Sequence, residues 1–138
     1  MLRRTATTVG LTAALVALGG PALACPPPAK ADRLVITYQE GGMSAAERFV
    51  LECHPVGGDH PQAREACAAV ERATQGRAPS VWEPVDENQM CTQIYGGPQT
   101  ARITGEWGGR EVDARFSREN GCEIHRWDRL TPALPAVA

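Results

Sequence analysis

The sequence is short of most things that announce a function. Aromatic residues make up 5% of it, so its core must be modest and closed by other means. It has no basic excess: the formal net charge is −2, which is no electrostatic footprint for nucleic acid. Past the N-terminus no apolar run approaches the ~20 residues that cross a bilayer as a helix. Serine occurs only as Ser44, Ser80 and Ser117, and histidine as His54, His60 and His125. None sits in a nucleophile elbow or another recognisable catalytic motif, so the chain is not read as an enzyme and no cofactor is implied. Internal repeats and low-complexity blocks are missing as well.

What is present begins with an export signal. A basic start, "MLRR", precedes an apolar run of about ten residues, Val9 to Leu18. The small-x-small pattern Ala22-Leu23-Ala24 follows, so residues 1–24 read as a cleaved signal peptide. The paired Arg3 and Arg4 suit general export better than a twin-arginine signal. Their loss makes the mature chain still more acidic. It would be secreted, with Cys25 at its new N-terminus.

Five cysteines in an exported chain of 138 residues suggest disulfides. Cys53, Cys67, Cys91 and Cys122 lie in the body of the chain, where four cysteines allow three pairings. Cys25 is the odd one. Two readings of it stand open: a free thiol beside the cleavage site, or the lipid-modified cysteine of a bacterial lipoprotein, with "ALAC" in place of the usual leucine-led motif.

Residues 25–33, "CPPPAKADR", read as an extended proline-rich linker. "RLVITYQE" and "RFVLEC" read as two strands, the second with Phe49, Leu51 and Cys53 on one face. Pro61 suits a first helical turn, and "QAREACAAVERATQG" places Ala63, Ala66, Cys67 and Val70 at helical spacing before Gly76 ends the helix. "RAPSVWEPVDENQ" has no period and is read as irregular, pinned by Trp82 and Val85. "QTARITGEW" and "REVDARFS" alternate as strands around a Gly108-Gly109 turn. "CEIHRWDRL" is a short helix, and residues 131–138 a loose tail. The sum is an α+β fold: an antiparallel sheet of four to five strands with one main and one short helix.

Cys53, His54, His60 and Cys67 are zinc-ligand types, but their spacing matches no common zinc motif. In an oxidising compartment Cys53 and Cys67 are better explained as a disulfide, and His60 as a histidine bonded locally beside a helix start. No metal is expected. "MCTQIYGG", Met90 to Gly97, is the unusual stretch. It is extended, partly apolar and anchored by a cysteine. It fits either a plain strand or a peptide held out for another protein.

Two segments then resemble the subtilisin inhibitors of actinomycetes. "CHPVGGDHPQAREACAAV", Cys53 to Val70, is similar to the family's Cys-x-Pro, glycine loop, His-Pro and Ala-Cys-Ala signature, with Val70 where leucine is usual. "MCTQIYGG" is similar to its reactive-site loop. "GEWGGREV" resembles its hairpin and "ENGC" its Asn-x-Cys. The resemblance runs from about Leu34 to Cys122. It implies disulfides Cys53–Cys67 and Cys91–Cys122, a sheet packed on helices, and a homodimer formed through the sheets.

It also implies a substrate-like loop of Met90, Cys91, Thr92, Gln93, Ile94 and Tyr95 with the scissile bond Gln93–Ile94. Asn120 would hydrogen-bond to that loop from behind and support it. The partner would be a subtilisin-like serine protease. The inhibitor-like domain is expected over residues 34–130. The alternative is a non-inhibitory secreted or lipid-anchored binding module on the same fold. "YGG" departs from the proline-containing sequence of typical members, and the two glycines are expected to loosen the loop.

Overall fold

The computed structural model describes residues 20, 23–26, 31–76 and 79–138. Most of the signal-peptide reading, and linker residues 27–30, lie outside them. β1 (Asp32–Gln39), β2 (Glu47–Cys53), β3 (Gly57–Gly58), α1 (Ala63–Thr74), β4 (Thr100–Trp107), β5 (Arg110–Phe116) and α2 (Gly121–Asp128) follow in chain order. The strands form one five-stranded sheet in the order β3-β2-β1-β4-β5, antiparallel at every pairing.

Alternation along the strands builds one face of the core. Leu34, Ile36 and Tyr38 of β1 point inward with Leu51 and Cys53 of β2, Ala101 and Ile103 of β4, and Val112, Ala114 and Phe116 of β5. α1 closes part of that face with Ala66, Cys67, Ala69, Val70 and Ala73, all buried. Cys53–Cys67 ties β2 to α1 with Cα atoms 5.8 Å apart. Gly76, at φ 128°, lies two residues beyond the end of α1 in a conformation that only glycine takes cheaply. Gly108 and Gly109, at φ 58° and 76°, make the β4–β5 hairpin turn.

Four expectations are corrected. β1 begins at Asp32, so the linker is shorter than residues 25–33. The Gly57-Gly58 part of the expected loop pairs with Leu51 and Glu52 as a short edge strand. Val81 is the fully buried anchor of the irregular segment, with Trp82 half-buried against the core beside it as expected, and Val85 is not part of that core.

The tail is packed rather than loose. Ala133 and Leu134 are buried, and Pro135 accepts a 2.9 Å hydrogen bond from the indole N–H of Trp127. Trp127, Leu130 and Leu134 therefore extend the core to residues 131–138, beyond the domain end expected at 130. With few aromatics, one fully buried tryptophan under the C-terminal segment supplies much of the apolar area.

His54 and His60 hold structure together. His54 Nδ1 lies 2.9 Å from Asp32 Oδ2 and its Nε2 lies 2.6 Å from Glu71 Oε1. These bonds, Asp32 first, push its pKa above the ordinary value. His60 Nδ1 accepts the Gln62 N–H at 3.1 Å, which leaves Nε2–H to donate to the Ala133 carbonyl at 3.2 Å.

Candidate functional site

Between Asn88 and Pro98 the chain makes no helix or strand. Thr92, Gln93, Ile94 and Tyr95 are exposed, and Met90 is 96% exposed. Large apolar side chains held outward at Met90, Ile94 and Tyr95 cost solvation that folding does not recover.

The loop is exposed but tethered, and its tethers converge. β5 ends at Phe116 and α2 starts at Gly121. The short connection between them lies behind the loop. On one side of Gln93, Cys91 is bonded to Cys122, with Cα atoms 5.4 Å apart. The Gly121 N–H donates to the Thr92 carbonyl at 3.0 Å. On the other side, the Gly96 N–H donates to the Arg118 carbonyl at 2.7 Å. Arg118 Nε donates back to the Gly96 carbonyl at 3.2 Å. One segment, Arg118 to Cys122, thus holds the chain on both sides of the Gln93–Ile94 bond.

Close approach explains the glycines. A methyl at Gly121 would fall 1.9 Å from Thr92 Oγ1, and one at Gly96 would fall 2.8 Å from Ile124 Cδ1. Gly97, at φ 123°, adopts a conformation costly for any other residue. It rests against Gln99, whose Nε2 donates to Glu40 at 3.2 Å. Glu40 also takes the Tyr38 hydroxyl. Gly96 and Gly97 therefore dock the loop, against the expectation that they loosen it.

Other side chains brace the cradle. Instead of bonding to the loop as expected, the Asn120 side chain caps α2, accepting the Glu123 N–H at 3.0 Å, which fixes the turn that aims Gly121 at Thr92. Arg126 is buried and reaches the carbonyls of Val81 at 2.8 Å and Arg115 at 2.7 Å. It lies over the Phe116 ring at 4.2 Å. Burial pushes its guanidinium below the ordinary pKa, while Glu123 opposes that. Arg126 thereby staples the segment leading into the loop onto α2 and β5. Gln93 Nε2 folds back to the Cys91 carbonyl at 3.4 Å, within the loop itself.

Sequence reasoning missed Arg118, Gly121 and Arg126. The available signal was the Asn120-to-Glu123 spacing of a helix start, which places Gly121 one residue after the cap. Nothing local marks an arginine for burial. Among the described residues no group of three or more His, Cys, Asp or Glu could hold a metal ion. Cys25 is exposed and unpaired.

The subtilisin inhibitor-like family profile matches residues 30–120. The chain belongs to the subtilisin inhibitor-like family. Subtilisin inhibitor-like protein 1 of Streptomyces cacaoi is 38% identical over 67% of this chain and 86% of its own. The subtilisin inhibitor of Streptomyces violaceus is 34% identical over 89% of this chain and 92% of its own. A solved complex of Streptomyces caespitosus sermetstatin with Bacillus licheniformis subtilisin aligns at 25% identity with a TM-score of 0.46, over 75% of this chain and 99% of that one. Both disulfides that family membership implied are present.

Proposed function

We propose that this subtilisin inhibitor-like chain is a secreted inhibitor of subtilisin-like serine proteases. It presents Met90 to Tyr95 as a substrate that is bound well and turned over badly, with Gln93–Ile94 as the scissile bond. The observation that carries this is the double tether: the exposed peptide is fixed on both sides of one bond to the same five-residue segment.

The protease cleft pairs with the extended backbone much as an edge strand would. Gln93 enters the main specificity pocket and Met90 an apolar pocket upstream, while β-branched Ile94 crowds the leaving side. The protease serine attacks the Gln93 carbonyl carbon, and the Ile94 nitrogen takes up a proton and leaves as an amine. In a free peptide that amine diffuses away. Here the Gly96 bonds hold it in place and Cys91–Cys122 holds the acyl side, so the reverse attack on the ester competes with water. Preorganisation, more than buried area, sets affinity in such complexes. The chain serves as a ligand of an enzyme and performs no catalysis itself. Asn120 supports the loop through the helix cap.

A homodimer through the sheets belongs to the same reading. The outer sheet face carries one row of Glu52, Arg33, Glu106 and Glu111 and another of Arg48, Thr37, Arg102 and Arg115, in register across the strands. Turned end for end, the mostly acidic row of one copy meets the mostly basic row of the other, with Val50, Val35, Thr104 and Asp113 between them. Asp113 already pairs with Arg102 of its own chain, at 2.7 Å from Nη2, so Arg48 and Arg115 carry the complementarity. Export rests on the N-terminal signal, and Cys25 remains the place for a lipid anchor.

The scissile bond is tested by Gln93→Lys. Trypsin's pocket selects a basic residue through its buried aspartate. The expected result is weak trypsin inhibition by the parent and strong inhibition by the variant. A variant that binds trypsin no better than the parent would misplace the bond. A parent that subtilisin digests at many positions would favour the binding-module alternative.

A further inference from the structure

We infer that Arg118 is a positioning residue that retains the leaving-group side of the cleaved loop and so sets the balance between hydrolysis and religation. The inference rests on the inhibitor reading and assigns the role to one side chain. Arg118 is 6% exposed, and a buried guanidinium is costly unless its donors are satisfied. Its Nε donates to the Gly96 carbonyl at 3.2 Å. Its Nη1 donates to Asp128 Oδ1 at 3.1 Å. Its guanidinium carbon lies 5.7 Å from the centre of the Trp127 ring. The fork is thus held by α2 from below and aimed at the loop.

The geometry places this clamp where religation needs it. Gly96 lies two residues beyond Ile94, whose nitrogen becomes the free amine after acyl transfer. The other anchors of that side are the Gly96 N–H on the Arg118 carbonyl and the packing of Gly97 on Gln99. Neither replaces a charge-assisted bond to the Gly96 carbonyl. The acyl side is anchored separately by Cys91–Cys122 and by Gly121. Removing the guanidinium therefore frees one cleavage end and spares the other, as well as the face presented to the protease.

Arg118→Met keeps much of the side-chain volume and the backbone bond. Its association rate with subtilisin, its rate of cleavage at Gln93–Ile94 in the complex, and the intact-to-cleaved ratio at equilibrium reached from both sides are compared with the parent. The expected result is an association rate within about threefold of the parent. Cleavage speeds up and the ratio falls about tenfold, as for loss of one hydrogen bond to a charged group. Asp128→Asn, at a half-exposed position, is expected to move both readouts the same way by about twofold. It carries the test if Arg118→Met does not fold. Arg118→Lys restores one donor and is expected to fall between Met and the parent. An inhibitory parent whose folded variants keep its ratio and its cleavage rate overturns the clamp. A parent that does not inhibit at all overturns the functional reading, and the clamp with it.

Discussion

Gly121→Ala probes the contact between cradle and loop with the smallest possible change. Gly121 is the first residue of α2. It does not sit in the left-handed region, so helix propensity alone favours alanine there. The added methyl meets Thr92 instead: Oγ1 at 1.9 Å, Cβ at 3.3 Å and the carbonyl oxygen at 3.6 Å. Two responses are open. Thr92 leaves its rotamer, at about 0.5–1.5 kcal/mol. Or the loop retreats and gives up the bond from the Gly121 N–H to the Thr92 carbonyl, worth about 0.5–1.5 kcal/mol net.

Either way the loop loses about 1 kcal/mol of preorganisation, about a fivefold weaker Kd for the protease. The free folded chain carries the same cost, but alanine's helix propensity, up to about 1 kcal/mol better than glycine's, offsets it, so the melting temperature should change little. The assay is a double-mutant cycle on Kd with Thr92→Ala. In the alanine background the 1.9 Å clash is gone and only the 3.3 Å approach to Cβ remains, so Gly121→Ala should cost much less, leaving a coupling of up to about 1 kcal/mol. Equal cost in both backgrounds, or no cost with Thr92 present, would refute the claim that this contact fixes the loop.

Replacing Cys91 and Cys122 together by serine opens a bridge of sequence separation 31. The chain-entropy model gives about 3.7 kcal/mol for that loop, so denaturant unfolding should show a loss near this size and subtilisin should cut the loop quickly. Near His54, stability should fall as pH rises. Its bonds to Asp32 and Glu71 raise the folded pKa above the ordinary value near 6.5. The contribution is then complete below that value and lost as pH climbs through the raised one. His54→Asn suits the φ of 61° and should remove this slope from melting curves; an unchanged slope would refute the assignment. The proposed dimer joins acidic to basic rows, so sedimentation should show it weakening from ~0.1 M to ~0.5 M salt, and Arg48→Glu, at an exposed position of the basic row, should weaken it further. Salt-independent association would point to another face.

Much of this fold was legible because its elements are locally consistent. Ile36 and Tyr38 in β1, Ala101 and Ile103 in β4, and Val112 to Phe116 in β5 alternate cleanly. Gly108-Gly109 is a turn in sequence and in space. α1 was readable from alanines at helical spacing. β3 was not, since two glycines carry no pattern and their pairing depends on β2 being there first. The tail looked loose because alanines and prolines lack a period. Its burial comes from Trp127, a contact that only the tertiary fold creates.

The loop itself was legible through family resemblance, the cradle hardly at all. Thr92 and Gly121, or Gly96 and Arg118, are too far apart in sequence for any local rule to join them. Arg118 and Arg126 look like solvated charges in the sequence. Carbonyls and rings from distant segments make their burial tolerable. Gly96-Gly97 was misjudged for the same reason. Glycine adds freedom to an isolated loop, but here it lets the backbone come close enough to be held.

The most direct test of the central claim is a titration of residues 26–138 into a fixed amount of subtilisin, followed by residual activity and by mass spectrometry of the inhibitor. The account predicts a linear fall to zero near one chain per enzyme, with slow cleavage at Gln93–Ile94 alone. Undiminished activity, with the chain left intact or digested at many sites, would contradict it.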